Sequence, residues 1–504
     1  MNSKVQSIMN KIKGFNTAKQ LSGMMIVTMI TQVIAVYKSS IIAANFGAGV
    51  ELDAYNFSNN LATFFLTFIS AGITTVVIPA YVKKLDRKAI DTFLTVVFSA
   101  TGILMLATFL LRGQIVDVFT NREPAFREYV TGIMMLTIWI QLLPAILGVT
   151  TAYYQCIDRF TLPKVILLIS NVITVVILVI MKDFNLYEYL YILLLGAVIQ
   201  FVVDLICAVK CGFRFKISFD IHNPVYKDIM KLFLPTLFSS GIYKINTMID
   251  SLLSSNLGAG QLTILSYANT IVGMINMLII GNLITYVYPK IVVTIDKGKE
   301  YSQKALWKYA VVFHMAVCLI IVGFISVGRE FIGLLYEHGE FTSRAADSVY
   351  FCMCIYTFAQ QNNIVRDILY RYFFANADTK TTVRNGLVTS FLNIVLSITL
   401  VQFLDVYGII IGTFIAGLCS LIMITVRFKH KFGFAIKMKP IVFAFIKTEL
   451  AVAASVGVVL VSKTFIPDMN YFFEFLIYGC MCVGVYTILI LIMHGRSKLL
   501  RKQN

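Results

Sequence analysis

Three basic residues interrupt otherwise apolar stretches of this sequence: Lys38, Lys244 and Arg366. A charged side chain inside a membrane-spanning segment is costly unless it faces a wet cavity or a partner. Lys38 lies eight residues from the nearer end of its stretch, 20–46, roughly 12 Å of helix, which is beyond the reach of a lysine side chain towards water. These residues therefore predict a membrane cavity lined by cations, and the planar guanidinium of Arg366 would suit a phosphate there.

Each of these cations also has a simpler explanation that the sequence leaves open. The Lys38 side chain could extend along the lipid to the membrane surface. Lys244 could pair with Asp250, although a spacing of six residues does not place them on one face of a straight helix. Arg366 could be neutralised by its neighbour Asp367.

The sequence contains no recognisable arrangement for catalysis. It has no nucleophile beside a base, no phosphate-binding glycine loop and no paired catalytic carboxylates. The five histidines are scattered, and all nine cysteines lie in or beside apolar stretches, with no CxxC pair and no histidine at ligand spacing. This pattern predicts small buried cysteines rather than disulfides or metal ligands. We therefore expect a protein that is not an enzyme, with no catalytic residues, no metal site and no organic cofactor.

Composition predicts an all-α polytopic membrane protein. Of 504 residues, 58% are hydrophobic and 14% are charged, and the mean hydropathy is +0.80. A soluble domain is less apolar than this, and a spanning helix needs about 20 apolar residues. We predict fourteen spans, near residues 20–46, 54–82, 88–111, 127–155, 161–181, 187–210, 228–255, 260–289, 305–328, 345–375, 381–404, 406–427, 440–462 and 470–493.

Lysine and arginine are distributed unevenly between the loops, which accounts for the net charge of +17 without a nucleic-acid partner. Basic residues concentrate in the N-terminal segment, in alternate loops and in the C-terminal tail, whereas loops 47–53 and 256–261 contain none. The positive-inside rule therefore predicts that both termini are cytoplasmic. The polar and basic N-terminal segment indicates no cleavable signal peptide.

A short glycine motif repeats along the chain. Asn45-Phe46-Gly47-Ala48-Gly49 recurs as Asn256-Leu257-Gly258-Ala259-Gly260, 211 residues later, and six predicted spans separate the copies. Both copies should therefore face the same side of the membrane, as in parallel repeats related by an axis along the membrane normal. We predict an N-lobe at 1–212, a C-lobe at 213–430 and a C-terminal segment at 431–504, with a central cavity between the lobes. The predicted gate glycines, which tolerate backbone change, are Gly47, Gly49, Gly258 and Gly260.

Several short motifs are spread over nearly the whole chain: FGAG followed by Asp53-Ala54-Tyr55, LGAG followed by Tyr267-Ala268, the run Tyr370 to Ala375, and the segment LLYEHGEFT. Together they resemble the MurJ (MviN) family of lipid II flippases, within the multidrug/oligosaccharidyl-lipid/polysaccharide exporter superfamily. The segment LLYEHGEFT is close to the family's LLFERGAFT pattern. The resemblance implies fourteen helices, in two six-helix lobes plus two C-terminal helices, in the bacterial cytoplasmic membrane.

The resemblance also implies a function and a site. It implies movement of an undecaprenyl-pyrophosphate-linked glycan, lipid II in first place, from the inner to the outer leaflet by alternating access. In the family, arginines in the first, second and eighth spans contact the pyrophosphate, and the corresponding places here are Gln32, Lys38, Leu66 and Asn269-Thr270, so only Lys38 keeps a cation. The predicted cavity residues are Lys38, Asp53, Asn59, Lys244, Asn269 and Arg366.

Some family members have a sodium site, and a second group of residues in this chain resembles it: Asp250, Asn393, Ser397 and Thr413. One carboxylate with neutral oxygens suits a monovalent cation, although serine and threonine are also common where helices pack. The resemblance thus implies Na⁺ or the membrane potential as the driving force. Expected partners are the glycan lipid, membrane lipids and glycan polymerases or synthases.

Three classes of function stay open from the sequence. The first is a flippase, for lipid II or for a lipid-linked capsule or exopolysaccharide unit. The second is a drug/cation antiporter of the same superfamily, which would favour a carboxylate-rich pocket rather than Lys38. The third is a membrane scaffold that recruits synthases, for which buried charges have no purpose.

Overall fold

The structure, a computed structural model, describes the backbone of residues 3–82, 86–277, 287, 290–376, 378–467 and 469–494. Side chains are described for 23–66, 77, 86–231, 233–234, 241, 244–277, 287, 290–376, 378–467 and 469–494. Part of the predicted eighth span, 278–286 and 288–289, and the basic C-terminal tail from 495 lie outside the described residues.

All regular structure in the described residues is helical, which confirms the predicted fold class. The helices are α1 (Ser3–Phe46), α2 (Val50–Val82), α3 (Arg87–Leu110), α4 (Arg112–Phe119), α5 (Pro124–Ile146), α6 (Gly148–Cys156), α7 (Leu162–Met181), α8 (Leu186–Lys210), α9 (Pro224–Ser255), α10 (Gln261–Ile275), α11 (Lys299–Tyr336), α12 (Ser343–Ala375), α13 (Thr379–Phe432), α14 (Lys439–Lys463) and α15 (Tyr471–His494).

Nine candidate membrane spans are long and apolar enough to cross a bilayer, counted within the described ranges. One of them joins α5 and α6 across Leu147, and another is the whole of α13, which holds two of the predicted spans. Each of the fourteen predicted spans overlaps a helix of the structure. The exact number of fourteen stays a prediction.

Helix α13 is two helices joined at a sharp break. Asp405 has φ 48° and ψ −137°, which ends the first arm in the gap between the predicted spans 381–404 and 406–427. The two arms pack closely at glycines, where a side chain would not fit. A Cβ on Gly408 would lie 2.3 Å from the Leu400 carbonyl oxygen. A Cβ on Gly412 would lie 2.9 Å from the backbone nitrogen of Ser397. Glycine therefore allows the two arms to form a tight hairpin.

Residues Met1–Ala259 form the first of two compact units. Within it α2 packs against α5, α6 and α9, and α7 packs against α1 and α8. Aromatic residues of α3, α6 and α9 fill one part of the core, among them Phe93, Tyr154 and Phe233. Helix α9 thus belongs to this unit by its contacts, while the lobe boundaries predicted from the repeat stay a prediction.

Residues Gly260–Asn504 form the second compact unit. Helix α11 is its centre and packs against α12, α14 and α15, while α12 also packs against α10 and α13. The C-terminal helices are therefore part of this unit's core, where Trp307, Tyr372 and Phe428 pack with Tyr478 and Tyr486.

Candidate functional site

Lys38 lies within α1 and is half-buried. Its Nζ donates a hydrogen bond to Asn171 Oδ1 on α7 at 3.2 Å, and Asn171 Nδ2 donates in turn to the Leu167 carbonyl at 3.0 Å. Among the described residues no carboxylate pairs with Lys38. The amide therefore orients the ammonium group without cancelling its charge, which leaves Lys38 able to attract an anion.

Helix α9 carries a second cation and a buried amide. Lys244 is half-buried and forms no hydrogen bond or ion pair through its side chain with the described part of the chain. In particular, it forms no ion pair with Asp250, so the internal pair considered from the sequence is not formed. Asn246 is buried, and within the described ranges its Oδ1 has no hydrogen-bond donor. An unsatisfied buried polar atom is unfavourable, so this part of α9 suits a polar ligand.

Asn59 and its neighbour Asn60 hold α2 to two other helices. Asn59 Oδ1 accepts a hydrogen bond from Gln141 Nε2 on α5. Asn60 Nδ2 donates to Ser251 Oγ on α9 at 2.8 Å. Asn59 therefore already has a partner inside the protein, and its role in substrate binding stays a prediction.

Asp53 is fully buried at the start of α2 and forms an ion pair. Arg122 Nη1 lies 3.3 Å from Asp53 Oδ2, and the Arg122 guanidinium lies 4.0 Å from the centre of the Phe126 ring. Thr120 Oγ1, in the same loop, donates to Asn256 Oδ1 at 3.1 Å. Asp53 thus holds the 120–122 loop beside the glycine motifs, a structural role that the sequence did not reveal. Its contact with substrate stays a prediction.

The glycines of the two motifs occupy turns between helices. Gly47, between α1 and α2, has φ +60°, and Gly258 and Gly260, between α9 and α10, have φ +125° and +83°. These left-handed conformations favour glycine. Gly49 instead makes a close approach, because a Cβ there would lie 3.2 Å from the Phe46 carbonyl oxygen. Their predicted gating role is untested.

The predicted cavity residues of the second unit are placed less favourably for binding an anion. Arg366 Nη2 lies 3.0 Å from Asp367 Oδ1, and its guanidinium lies 5.6 Å from the centre of the Tyr370 ring. The local neutralisation considered from the sequence therefore occurs. Asn269 is exposed on α10.

Three of the four predicted cation ligands meet across the α13 hairpin. Ser397 Oγ lies 3.1 Å from Asn393 Oδ1, and Thr413 Oγ1 lies 3.3 Å from the same oxygen. The close approach at Gly412 brings the arms together here. Asp250 belongs to α9 of the first unit, so its part in this site is untested.

One cluster bears on the expectation drawn from the cysteines and histidines. His314 and Cys318 are four residues apart on α11, which is a ligand spacing, and Glu449 of α14 lies beside them. The sequence expectation overlooked this spacing, and the absence of a metal site stays a prediction. The helical period would have revealed this pair, but not its partner on a distant helix.

Comparison with known proteins assigns the family. The model for the family described as "Lipid II flippase MurJ" matches residues 42–479, most of the chain. The chain belongs to the MurJ family. MurJ proteins are flippases, a class of transporter, and this chain with its apolar helices is accordingly a multi-pass protein of the bacterial inner membrane.

Individual MurJ relatives are distant in sequence but similar in length and fold. The probable lipid II flippase MurJ of Rickettsia prowazekii is 22% identical over 404 residues, covering 77% of this chain and 79% of the relative. That of Synechocystis is 24% identical over 420 residues, covering 79% and 78%. A structure of lipid II flippase MurJ in an inward closed conformation aligns with TM-score 0.80 at 20% identity, over 94% of this chain and 99% of that one.

Transporters of the wider superfamily share the architecture more loosely. An inward-facing MATE family multidrug resistance transporter of the MOP superfamily aligns with TM-score 0.60 at 12% identity, over 81% of this chain and 98% of that one. At this identity the likeness concerns the fold alone. Of these two structures, the MurJ structure has the higher TM-score, in agreement with the match to the family model.

Proposed function

We propose that this MurJ-family chain is a lipid II flippase that carries an undecaprenyl-pyrophosphate-linked glycan from the inner to the outer leaflet by alternating access. The observation that carries this proposal is Lys38: a cation within a membrane helix, oriented by Asn171 and paired with no carboxylate among the described residues. A flippase for a pyrophosphate lipid needs such a charge, whereas a structural lysine would be expected to have an acidic partner.

The pyrophosphate carries about two negative charges, and an unpaired charge in a low-dielectric cavity costs several kcal/mol. Lys38 supplies one cation, and Lys244, which forms no ion pair with described residues, supplies a second. Arg366 contributes less, because Asp367 already cancels its charge. Lysine holds phosphate as a point charge, so two lysines would replace the bidentate arginines of the family.

Transport then requires that the site open alternately to either side. The positive-φ glycines Gly47, Gly258 and Gly260 can change conformation at low cost and would act as hinges of the outer gate. Both termini would face the cytoplasm, where the glycan lipid is loaded. Glycan polymerases at the outer leaflet would consume the product.

A cation site would couple this cycle to an ion gradient. Ser397 and Thr413 already place hydroxyl oxygens within hydrogen-bond distance of Asn393 Oδ1, and Asp250 would be the carboxylate of the site. Na⁺ would bind such hard oxygen ligands. The membrane potential is the alternative driving force.

A lipid-linked capsule or exopolysaccharide unit is a second candidate substrate. Gln32, Leu66 and Asn269 stand where the family has pyrophosphate-binding arginines, and this loss favours a different headgroup. A drug/cation antiporter is a weaker candidate, because an unpaired Lys38 repels a cationic drug.

Complementation tests the proposal. The gene is expressed in cells depleted of their own lipid II flippase, together with Lys38→Ala, Lys244→Ala and Arg366→Ala variants at matched protein levels. We expect wild type to restore growth, Lys38→Ala and Lys244→Ala to fail, and Arg366→Ala to be affected least. If well-expressed wild type does not restore growth, lipid II is not the substrate and the capsule or exopolysaccharide lipid becomes the better assignment.

A further inference from the structure

Helices α11 and α14 bring together three residue types that bind metals. His314 and Cys318 lie one turn apart on α11, and Glu449 faces them from α14. His314 Nε2 lies 3.0 Å from Glu449 Oε1. Cys318 Sγ lies 3.8 Å from the same Nε2 and 4.0 Å from Glu449 Oε1. One ligand atom from each residue therefore lies within 4.8 Å of the others.

These separations suit a tetrahedral ion. Zinc binds nitrogen and carboxylate oxygen at about 2.0–2.2 Å and sulfur at about 2.3 Å, which places neighbouring ligand atoms about 3.3–3.7 Å apart. The observed separation of 3.0 Å between nitrogen and carboxylate oxygen is shorter than that range, and the separation of 4.0 Å between sulfur and carboxylate oxygen is longer. Gln361 Oε1 on α12, 4.0 Å from Cys318 Sγ, offers a neutral fourth ligand. Small side-chain rotations would therefore close the shell.

The surroundings hold the cluster in place. Cys318 is fully buried and His314 nearly so, and the Phe445 ring packs edge-on against the imidazole with its centre 4.8 Å away. Tyr486 of α15 donates a hydrogen bond to the Met315 carbonyl at 2.8 Å, which ties this turn of α11 to a third helix. Rigid support of this kind orients ligands and sets metal affinity.

Among the described residues no lysine or arginine pairs with the Glu449 carboxylate. The carboxylate lies beside His314, and the nearby Lys447 Nζ donates instead to the Met493 carbonyl at 3.0 Å. A carboxylate within a membrane helix with no lysine or arginine partner is costly unless a bound cation balances it. A divalent ion would provide that balance.

The cluster also has a route for an ion to enter. The Glu449 side chain is 43% exposed, while His314 and Cys318 lie behind it. Glu449 is therefore the residue through which an ion would reach the two buried ligands.

We propose that His314, Cys318 and Glu449 bind a divalent transition-metal ion of the zinc class, with Gln361 as a fourth ligand. An imidazole, a thiolate and a carboxylate together favour a borderline ion over Mg²⁺ or Ca²⁺, which prefer oxygen ligands alone. The ion clamps α14 to α11, and so holds the C-terminal helices to the second unit. This site is independent of the proposed transport function.

Cobalt provides the probe. Purified full-length protein in detergent is stripped with a chelator and titrated with Co²⁺, because cobalt–thiolate coordination gives a charge-transfer absorption band. We expect one Co²⁺ per chain with that band in wild type, displaced by Zn²⁺. Cys318→Ser should lack the band, and Glu449→Gln should weaken binding at least tenfold. Cys352→Ser is the matched control, since Cys352 is equally buried but lies on α12 outside the cluster.

Two results would overturn the metal site. One is a wild-type titration with no thiolate band, which would leave His314 and Glu449 as a simple hydrogen-bonded pair. The other is a band that survives at full strength in Cys318→Ser. Size-exclusion profiles check folding, and Cys318→Ala supplies the same test should Cys318→Ser aggregate.

Discussion

Replacing Lys38 separates a transport role from a structural one. In Lys38→Ala the hydrogen bond to Asn171 at 3.2 Å is lost together with the positive charge. A charge-assisted hydrogen bond to a phosphate is worth about 1.5–3 kcal/mol, so flipping should slow by roughly 10- to 150-fold. Lys38→Arg keeps the charge with a different geometry and should retain part of the rate.

The protein's stability should respond differently. A half-buried ammonium with a single neutral partner contributes little to folding, and burying it is unfavourable. Lys38→Ala should therefore leave the melting temperature in detergent unchanged or raise it. Asn171→Ala, which keeps the charge but frees the side chain, should reduce flipping only by about fivefold, for a loss near 1 kcal/mol.

The assay is lipid II flipping per unit of expressed protein in vesicles of native membrane. Lys210→Ala is the matched control, because Lys210 is an exposed lysine at the end of α8 and its loss changes net charge equally. A Lys38→Ala variant that flips at the wild-type rate would refute the binding role of Lys38. A Lys38→Ala variant with both a lower flipping rate and a lower melting temperature would show that Lys38 has a structural role.

Three further predictions concern the scaffold. Gly408→Ala should destabilise the protein by about 1–3 kcal/mol in thermal melts, because its Cβ would lie 2.3 Å from Leu400 O, whereas Gly386→Ala on the same helix, with open space around it, should not. Burial by itself would raise the pKa of Asp378, but the Lys431 ammonium and two hydrogen bonds from Thr381 outweigh it and hold the pKa at about 2. The stabilisation from this lowered pKa is therefore present above the unfolded pKa of about 3.9 and lost as pH falls towards 2. Asp378→Ala should lose about 1 kcal/mol of helix capping that Asp378→Asn keeps. Equal melting temperatures of the two variants at pH 7 would contradict this. A cysteine at Ala48 or Ala259 should react with an impermeant thiol reagent added to intact cells and one at Gly433 should not, and labelling at Gly433 would overturn the predicted orientation.

The sequence predicted the elements of this fold well because membrane helices are specified locally. A run of apolar residues must satisfy its own backbone hydrogen bonds in lipid, so length and hydropathy locate each helix. The break at Asp405 was also visible, since it lies in the gap between two predicted spans. Helix packing was not visible: the Gly408 contact depends on how two arms fold together.

Partners of the charged residues could not be read from the sequence, because they are distant along the chain. Asp53 is 69 residues from Arg122, and Lys38 is 133 residues from Asn171. Arg366 and Asp367 are adjacent, and their pairing, unlike the one considered for Lys244 and Asp250, is formed. The His314–Cys318 spacing was present in the sequence, but Glu449, 131 residues beyond Cys318, gives it meaning.

Exposure of lipid II at the outer leaflet is the most direct test of the transport function. Cells depleted of their own lipid II flippase express this chain, and an added hydrolase confined to the outer face cleaves any lipid II that reaches it. A lipid II flippase should restore headgroup release to the level given by the native flippase, and Lys38→Ala should not. Cleavage no greater than in depleted cells, at matched expression of the wild-type chain, would contradict lipid II as its substrate.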